Sequence, residues 1–338
     1  MIVDAHNDLV LELVIRRAEE NPFRAHWLPR LREGGVALQV CPLYTADAGS
    51  EAPVRAQQQL EQFERALREN PDDVFQVRTR ADLARVGQDE RIGLMLSLEG
   101  VEPVVDGFEP WWDAGVRMVG LTWNYTTWAA GGIDEPEQGL TDRGRALVDE
   151  LAARGAVLDV AHASPPTLDE VLERARHVVC SHACCRALVD IPRNLSDDQL
   201  RALGARGGVL GMMALALVVG YDTATIDGLL DHLDHAVSIL GIEGVGLGAD
   251  VIDQVADTEL EAGLALVDIV EEARALGGGR MGLEGFTGPE HYPALLDGLR
   301  RRGYEGEALD AITHGNFLRV LGAALPDGGD RPGEGGRP

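Results

Sequence analysis

The sequence predicts a parallel α/β fold in which eight strands close into a TIM-like (β/α)8 barrel. Short apolar or β-branched segments alternate along the chain with stretches of helical periodicity. Eight such segments, each followed by a loop, favour a closed barrel over an open, doubly wound sheet. The first segment runs into His6-Asn7-Asp8 without the glycine-rich turn of an open nucleotide-binding sheet, which argues against that competing fold.

The predicted strands are short and are bounded by loop residues. In order they cover 2–5, 36–43, 92–98, 118–122, 157–161, 177–181, 208–213 and 244–248. Between them, amphipathic stretches predict helices at 53–69, 142–154, 167–176, 196–205 and 225–240.

Capping residues support several of these helix boundaries. Thr141 and Ser196 are expected N-caps, and Gly155 and Gly241 stand where C-caps belong. Beyond the eighth strand, residues 292–301 and 307–323 are predicted to be helical. We expect residues 1–325 to form one domain and residues 326–338, which lack large apolar side chains, to form a disordered tail.

The charge of the chain excludes several classes of partner and enzyme. Its net charge of −26 opposes binding to nucleic acid and to anionic membrane surfaces. The sequence contains no lysine, so all 30 basic residues are arginine. Schiff-base aldolases, pyridoxal phosphate enzymes, P-loop NTPases and sites bridged by a carbamylated lysine are therefore excluded, because each needs a lysine amine.

Cysteine usage predicts a reducing compartment, and hydropathy predicts no membrane-spanning helix. The four cysteines, at positions 41, 180, 184 and 185, form no C-x-x-C pair and are expected to be reduced thiols. No apolar run reaches the roughly 18 to 20 residues of a membrane helix, and Asp4 interrupts the first apolar run. We therefore expect a cytoplasmic protein that does not bind membranes.

Polar residues with metal-binding chemistry follow several of the predicted strands. All fall where the catalytic loops of a barrel converge, and they are His6, Asp8, Glu99, His162, His182 and Asp250. Residues i and i+2 of an extended chain point to the same side, so His6 and Asp8 can bind one cation. In a lysine-free chain Glu99 is the natural bridge to a second cation, which His162 and His182 would complete.

The donor types favour catalytic zinc or a similar divalent ion over a structural site, because they lack thiolates and leave coordination positions open. Asp250 is expected either to bind a metal or to handle the proton of a bridging water. Arg193 follows the His182 segment and is suited to bind a substrate carboxylate with two hydrogen bonds.

Seven motifs together resemble the membrane (renal) dipeptidase family of zinc peptidases, family M19. In chain order they are Asp4-Ala5-His6-Asn7-Asp8-Leu9, Ser97-Leu98-Glu99-Gly100, Asp159-Val160-Ala161-His162-Ala163-Ser164, Ser181-His182-Ala183, Pro192-Arg193-Asn194-Leu195-Ser196-Asp197-Asp198, Asp231-His232-Leu233-Asp234-His235 and Gly315-Asn316-Phe317-Leu318-Arg319-Val320. The resemblance extends from residue 1 to about residue 322.

This resemblance implies a metal-dependent hydrolase barrel with two zinc ions. One zinc would be bound by His6, Asp8 and Glu99, and the other by Glu99, His162 and His182. Members of the family hydrolyse dipeptides through a metal-bridging hydroxide, often accept a D residue at the C-terminal position, and form homodimers. By the same resemblance, Asp250 and Glu99 are catalytic and Arg193 holds the substrate's C-terminal carboxylate.

One substrate-binding position departs from the family pattern. Renal-type members have a histidine where this chain has Trp123, and an indole cannot replace a histidine as a cation. We therefore expect Trp123 to contact substrate and to alter substrate preference while leaving the metal ligands intact. Two other functions remain open at this stage: a metal-dependent amidohydrolase acting on a non-dipeptide amide or lactone, and a catalytically silent barrel that binds a partner.

Overall fold

Parallel strands form the centre of the fold. The structure, a computed structural model, describes residues 1–45, 49–88, 90–261, 271, 275–276 and 279–328. Within these ranges there are nine strands: β1 (Ile2–Asp4), β2 (Val36–Tyr44), β3 (Val74–Gln76), β4 (Ile92–Glu99), β5 (Val116–Gly120), β6 (Val157–Asp159), β7 (Val178–Ala183), β8 (Val209–Met212) and β9 (Val245–Leu247).

Eight of these strands close into a barrel, as predicted. Neighbouring strands follow the order β2-β1-β9-β8-β7-β6-β5-β4, and β2 also pairs with β4. That closing pair runs in register from Leu38 opposite Gly93 to Tyr44 opposite Glu99. Because every pairing is parallel, the carboxyl ends of all eight strands meet at one end of the barrel, which we call the mouth.

The sequence prediction missed the remaining strand, β3. It pairs with the first part of β4, Val74 opposite Ile92, on the edge that β5 occupies from Leu96 onwards. The segment is only three residues long, which is too short to display alternation. The segment forms a strand because it pairs with the free edge of β4, and not because its own sequence shows a strand pattern.

Helices surround the barrel. In the described ranges the α-helices are Leu9–Ile15, Leu28–Glu33, Ala52–Glu69, Arg80–Leu83, Glu109–Ala114, Asp142–Arg154, Pro165–Arg174, Asp197–Ala205, Ala216–Val219, Ile226–Leu240, Asp253–Glu261, Tyr292–Arg301, Gly306–Asp310 and Asn316–Ala324. The expected caps are confirmed: Thr141 and Ser196 accept backbone hydrogen bonds at helix starts, and Gly155 and Gly241 adopt positive φ at helix ends.

The last predicted helix is interrupted. A π-helical turn, Ala311–Gly315, separates Gly306–Asp310 from Asn316–Ala324. Beyond this turn, the side-chain amide of Asn316 donates hydrogen bonds to the carbonyl oxygens of Ile242 and Val245. These tertiary contacts anchor the last helix beneath β9, and the helical periodicity of the sequence could not predict them.

The apolar core has two layers. The outer layer lies between the strands and the helices, while the inner layer fills the barrel with strand residues such as Leu38, Met118 and Val209. Phe317 belongs to this inner layer and comes from the last helix. A Cβ atom on Gly246 would lie 2.5 Å from the Phe317 ring, so only glycine allows this close approach. The amino end of the barrel is therefore closed by packed apolar side chains.

The end of the chain lies partly within the described ranges. Of the predicted tail, residues 329–338 lie outside them, whereas the Pro326 carbonyl accepts a hydrogen bond from the backbone of Arg80. Among the described residues, no helix combines the length and apolar character needed to cross a membrane.

Candidate metal centre

The predicted metal ligands come together at the barrel mouth. His6 and Asp8 follow β1, Glu99 is the last residue of β4, and His182 lies near the end of β7. His162 and Asp250 follow β6 and β9 by three residues each, and Asp8 is the only one of these six that is partly exposed. The barrel thus gathers six residues from five separate strand ends into one largely buried, polar cluster.

The first part of this cluster surrounds His6. Its Nε2 atom lies 3.5 Å from Glu99 Oε2, 3.8 Å from Asp250 Oδ1 and 3.9 Å from Asp8 Oδ1. The side chain is buried, and neither ring nitrogen has a hydrogen-bond partner among the described residues. A buried imidazole without hydrogen bonds is costly unless its nitrogen binds something else, and a metal ion is a common partner.

The second part contains His162 and His182. Their Nε2 atoms lie 3.0 Å apart, and they lie 3.1 Å and 3.5 Å respectively from Glu99 Oε1. The rings of His6 and His182 are stacked with centroids 3.7 Å apart, so the two parts share one small space.

Hydrogen bonds on the far side of each ring define the tautomers of both histidines. His162 Nδ1 lies 2.7 Å from the side-chain oxygen of Asn124, which can only accept. His182 Nδ1 lies 2.6 Å from Ser181 Oγ, whose hydrogen is donated to Asp159 at 2.5 Å. Both Nδ1 atoms must therefore carry the proton, so both Nε2 lone pairs point towards Glu99.

Three electron-pair donors thus converge on one point with no hydrogen between them. Such an arrangement is repulsive by itself and becomes favourable when a cation lies between the donors. The nitrogen and oxygen donors fit a divalent cation such as zinc. The four cysteine thiols are buried elsewhere and contribute no ligand to the cluster.

Two carboxylates span both parts of the cluster. Glu99 directs Oε2 towards His6 and Oε1 towards His162 and His182. Asp250 directs Oδ1 towards His6 and Oδ2 towards His182, the latter at 4.0 Å. Glu99 is the closer of the two, and the groups whose donor atoms lie within 4.8 Å of one another include Glu99 with His162 and His182, and His6 with Asp8 and Asp250.

Burial and neighbouring charges give His162, His182 and Glu99 the protonation states that metal ligands need. Burial lowers the pKa of His162 to about 3, and that of His182 falls well below its usual value for the same reason. Although burial opposes it, the positive charge of His6 keeps the pKa of Glu99 well below its usual range. The two histidines are therefore neutral and Glu99 is ionised at neutral pH.

The carboxylates favour positive charge at His6. Despite burial, Glu99 raises the pKa of His6 to about 10. Burial has the opposite effect on Asp250, whose pKa it raises to about 6. A cation bound among these groups would favour their ionised forms and would compete with the proton on His6.

Backbone strain also concentrates at the mouth. His162 and Asp250 have φ values of 62° and 49°, in the left-handed region that residues other than glycine rarely adopt. Hydrogen bonds hold both conformations, from the Ile133 amide to the His162 carbonyl and from the Asp250 amide to the His6 carbonyl. Strain of this kind persists where it aims a side chain at a functional site.

Arg193 lies beside the second part of the cluster. The side chain is buried, and Nη2 donates a hydrogen bond of 2.6 Å to the backbone carbonyl of His182. Its Nη1 atom is buried and has no hydrogen-bond partner among the described residues. The guanidinium therefore keeps a donor available next to the metal ligands, which suits a substrate carboxylate.

Trp123 also lies at the mouth. Its ring centroid is 5.8 Å from that of His162, and its ring makes edge contacts with Tyr44 and Tyr125. The sequence interpretation had noted Trp123 and the loop that begins at Tyr125 as departures from the family pattern, but it had missed Tyr44.

The sequence interpretation also missed the residues that orient the ligands. Asn124, Ser181 and Asp159 determine which ring nitrogens are available, through their hydrogen bonds to or near the histidines. Ser181 and Asp159 stand inside motifs already noted, so their position next to or near a histidine was a usable signal. Asn124 had no such signal because its partner His162 is 38 residues away.

Comparison with known proteins agrees with this geometry. The family model for membrane dipeptidase, peptidase family M19, matches residues 1–274. The chain is 27% identical over 347 residues to dipeptidase 3 of Rattus norvegicus, an alignment covering 95% of this chain and 64% of that protein. The chain therefore spans less than two thirds of that relative's length.

Solved structures share the fold. A metallo peptidase from Rhodobacter sphaeroides, liganded with a phosphinate mimic of the dipeptide L-Ala-D-Ala, superposes with a TM-score of 0.82 at 22% identity and covers 96% of this chain and 99% of its own. The metallo peptidase named dipeptidase AC gives a TM-score of 0.83 at 23% identity, with 96% and 98% coverage.

Proposed function

Because the chain belongs to the membrane dipeptidase family, peptidase family M19, we propose that it is a metal-dependent dipeptidase with two zinc ions at the barrel mouth. One observation carries the proposal: the Nε2 lone pairs of His162 and His182 converge on one oxygen of Glu99, while the other oxygen faces His6. A carboxylate that directs one oxygen to each of two ligand groups is suited to bridge two cations.

The residues divide into two ligand sets that share Glu99. His6 and Asp8 would complete the first set, and His162 and His182 the second. When bound, the cations would supply Lewis-acid polarisation of the peptide carbonyl and a lowered pKa for an attacking water. The remaining steps fall to side chains of this chain.

Arg193 selects a substrate with a free carboxylate close to the scissile bond. Its guanidinium is anchored on the carbonyl of His182, a metal ligand, and Nη1 is available for a carboxylate oxygen. A carboxylate bound there leaves room for only one residue between the scissile bond and the C-terminus. Buried charge pairs of this kind discriminate strongly, because an uncharged substrate end leaves the arginine unpaired.

Asp250 handles the proton. It lies across the cluster from Glu99, with one oxygen near His6 and the other near His182. From this position it can accept the proton of the attacking water and deliver it to the leaving amine. The left-handed backbone of Asp250 aims its carboxylate into the cluster.

We also propose that the C-terminal residue of the substrate can have the D configuration. Arg193 would fix the carboxylate and not the side chain, so inversion at the C-terminal Cα changes only the direction in which that side chain leaves the site. The Rhodobacter sphaeroides neighbour was solved with a mimic of L-Ala-D-Ala, which supports the same tolerance.

The experiment compares zinc-loaded wild type with Arg193→Met on dipeptides with free or amidated C-termini. We expect wild type to hydrolyse free dipeptides roughly 100-fold or more faster than amidated ones, and Arg193→Met to lose that advantage. Arg201→Met removes an exposed arginine on the helix that follows Arg193 and serves as the matched control. Equal cleavage of free and amidated dipeptides by wild type would contradict the assigned role of Arg193. No dipeptide cleavage by the metal-loaded protein would overturn the proposed activity.

A further inference from the structure

Three aromatic side chains line one side of the barrel mouth. Trp123 lies between Tyr44 and Tyr125, with ring centroids 5.5 Å and 5.2 Å away and edge-on geometry in both pairs. Trp123 and Tyr44 are partly exposed, and 42% of Tyr125 is exposed. We call these three residues the aromatic wall. Edge-on packing fixes the rings against each other.

The wall borders the proposed metal centre directly. Trp123 is tilted against His162, one of the histidine ligands. Tyr44 ends β2 and stands in register with Glu99 at the end of β4. In a substrate whose scissile bond lies over Glu99, the residue next to that bond can therefore contact the aromatic wall.

Hydrogen bonds hold the loop that carries Trp123 and Tyr125, two of the three residues of the aromatic wall. The Asn124 carbonyl accepts a hydrogen bond from the Asp134 amide, and the Thr127 hydroxyl donates one to the Leu121 carbonyl. The Trp128 indole nitrogen donates to the Val101 carbonyl. The bonds to Leu121 and Val101 hold this loop to the segments that follow β5 and β4, which pre-organises Trp123 and Tyr125.

Strand order places Tyr44 of the aromatic wall across the mouth from Arg193, while Trp123 and Tyr125 follow β5, two strands from β7. In the closed order β2-β1-β9-β8-β7-β6-β5-β4, β2 and β7 are four strands apart in either direction. Tyr44 ends β2, and Arg193 follows β7 and is anchored on His182. A dipeptide with its carboxylate on Arg193 and its amide over Glu99 would extend its N-terminal residue towards Tyr44, whose ring packs against Trp123.

We propose that the aromatic wall is the binding subsite for the side chain of the substrate's N-terminal residue, and that it makes the enzyme prefer large apolar side chains there. This inference rests on the proposed dipeptidase function and specifies its substrate class. An indole and two phenol rings offer apolar area to a leucine or phenylalanine side chain, and glycine has nothing to place against them.

The expected preference follows from the area that such a side chain buries. Burying a leucine-sized side chain against a preformed apolar surface is expected to favour leucyl-alanine over glycyl-alanine by about 10- to 100-fold in kcat/KM. A small residue at position 123 removes the central ring of the wall and should remove most of that ratio.

The test measures kcat/KM for glycyl-alanine, leucyl-alanine, phenylalanyl-alanine, arginyl-alanine and alanyl-leucine with zinc-loaded protein. For Trp123→Ala we expect the leucyl-alanine to glycyl-alanine ratio of kcat/KM to fall at least about 10-fold. Tyr125→Ala, at an exposed position, should reduce the ratio by a smaller factor. Tyr125→Phe keeps the ring and should leave the ratio unchanged.

Each outcome separates this inference from the activity on which it rests. If wild type cleaves glycyl-alanine but shows no preference for leucyl-alanine, the wall is not a side-chain subsite and the dipeptidase proposal stands. A preference for arginyl-alanine, or one that follows the C-terminal residue, also overturns the inference. If Trp123→Ala does not fold, an unchanged ratio in Tyr125→Ala is the overturning result. If wild type cleaves no dipeptide, the proposed function itself fails.

Discussion

The two ends of the barrel differ in the side chains that they bury: apolar at the amino end, polar and ionisable at the mouth. At the amino end, Phe317 and the inward strand residues form an apolar layer, and Gly246 lets the ring approach closely. At the mouth, histidines and carboxylates are buried together. The ring nitrogens of His6 have no hydrogen-bond partner among the described residues, and His162 and Asp250 have left-handed backbone conformations. The amino end stabilises the fold, whereas the mouth costs stability that only a bound ligand offsets.

This contrast teaches that stability and chemistry are separable in the chain. The same strands supply both ends, but their amino halves contribute to the packed interior and their carboxyl ends contribute ligands. A substitution at the amino end should therefore change stability with little effect on the chemistry, and a substitution at the mouth should do the reverse. The following variants test that separation, from the largest expected effect to the smallest.

Glu99→Gln should have the largest effect, because it removes the charge shared by both proposed ligand sets while keeping the shape of the side chain. We expect hydrolysis to fall by at least roughly 10⁴-fold, since a bound cation contributes several kcal/mol to the reaction. Rate assays combined with elemental analysis of bound zinc measure the change. Glu109→Gln, at an exposed helix start, is the control. Activity within tenfold of wild type would show that Glu99 is not the bridge.

Phe317→Ala tests the amino end. Removing a buried phenylalanine ring is expected to lower the free energy of unfolding by about 3–5 kcal/mol, because the barrel interior cannot collapse to fill the space. Urea unfolding of zinc-loaded protein measures the loss, and zinc content should stay at the wild-type value. Leu318→Ala, a partly buried neighbour on the same helix, should cost less. Loss of zinc without loss of stability would break the proposed separation.

Asn124→Ala tests the orientation of one ligand. Without the side-chain oxygen that accepts from His162 Nδ1, the imidazole can change tautomer, and zinc affinity should fall by about 10- to 100-fold. Competition with a chelator measures this affinity. Asn124→Asp keeps an accepting oxygen and should restore most of it. If Ala and Asp weaken zinc binding equally, Asn124 acts through packing and not through the tautomer.

Ser196→Ala should have the smallest effect and should be confined to the helical ring. Ser196 caps the helix Asp197–Ala205 in a reciprocal arrangement with Gln199. We expect a loss of about 1 kcal/mol in the free energy of unfolding, with unchanged zinc content and hydrolysis. Ser196→Asp retains a capping oxygen and should recover the loss. A change in zinc content would show that this loop is coupled to the mouth.

The sequence predicted the mouth better than its surroundings. Six site residues could be found because each follows an apolar strand segment, and strand ends are readable from local pattern. Asn124, Tyr44 and the strand β3 could not be found in this way. Each has its role through a partner distant in sequence: His162 for Asn124, Trp123 for Tyr44 and the edge of β4 for β3.

The histidine tautomers could not be predicted from the sequence either. His162 and His182 are the same residue type. Nevertheless, the His162 ring is oriented by the amide oxygen of Asn124, and the His182 ring by Ser181, which is linked to Asp159. Only the closed barrel brings these partners together, so the direction of each lone pair is a tertiary property.

The central claim is that the mouth holds two cations that share Glu99. Anomalous X-ray scattering at the zinc edge, from crystals of zinc-loaded wild-type protein, tests it most directly. The account predicts two anomalous peaks, one beside His6 and one beside His162 and His182, with Glu99 contacting both. A single peak, or two peaks of which only one contacts Glu99, would contradict it.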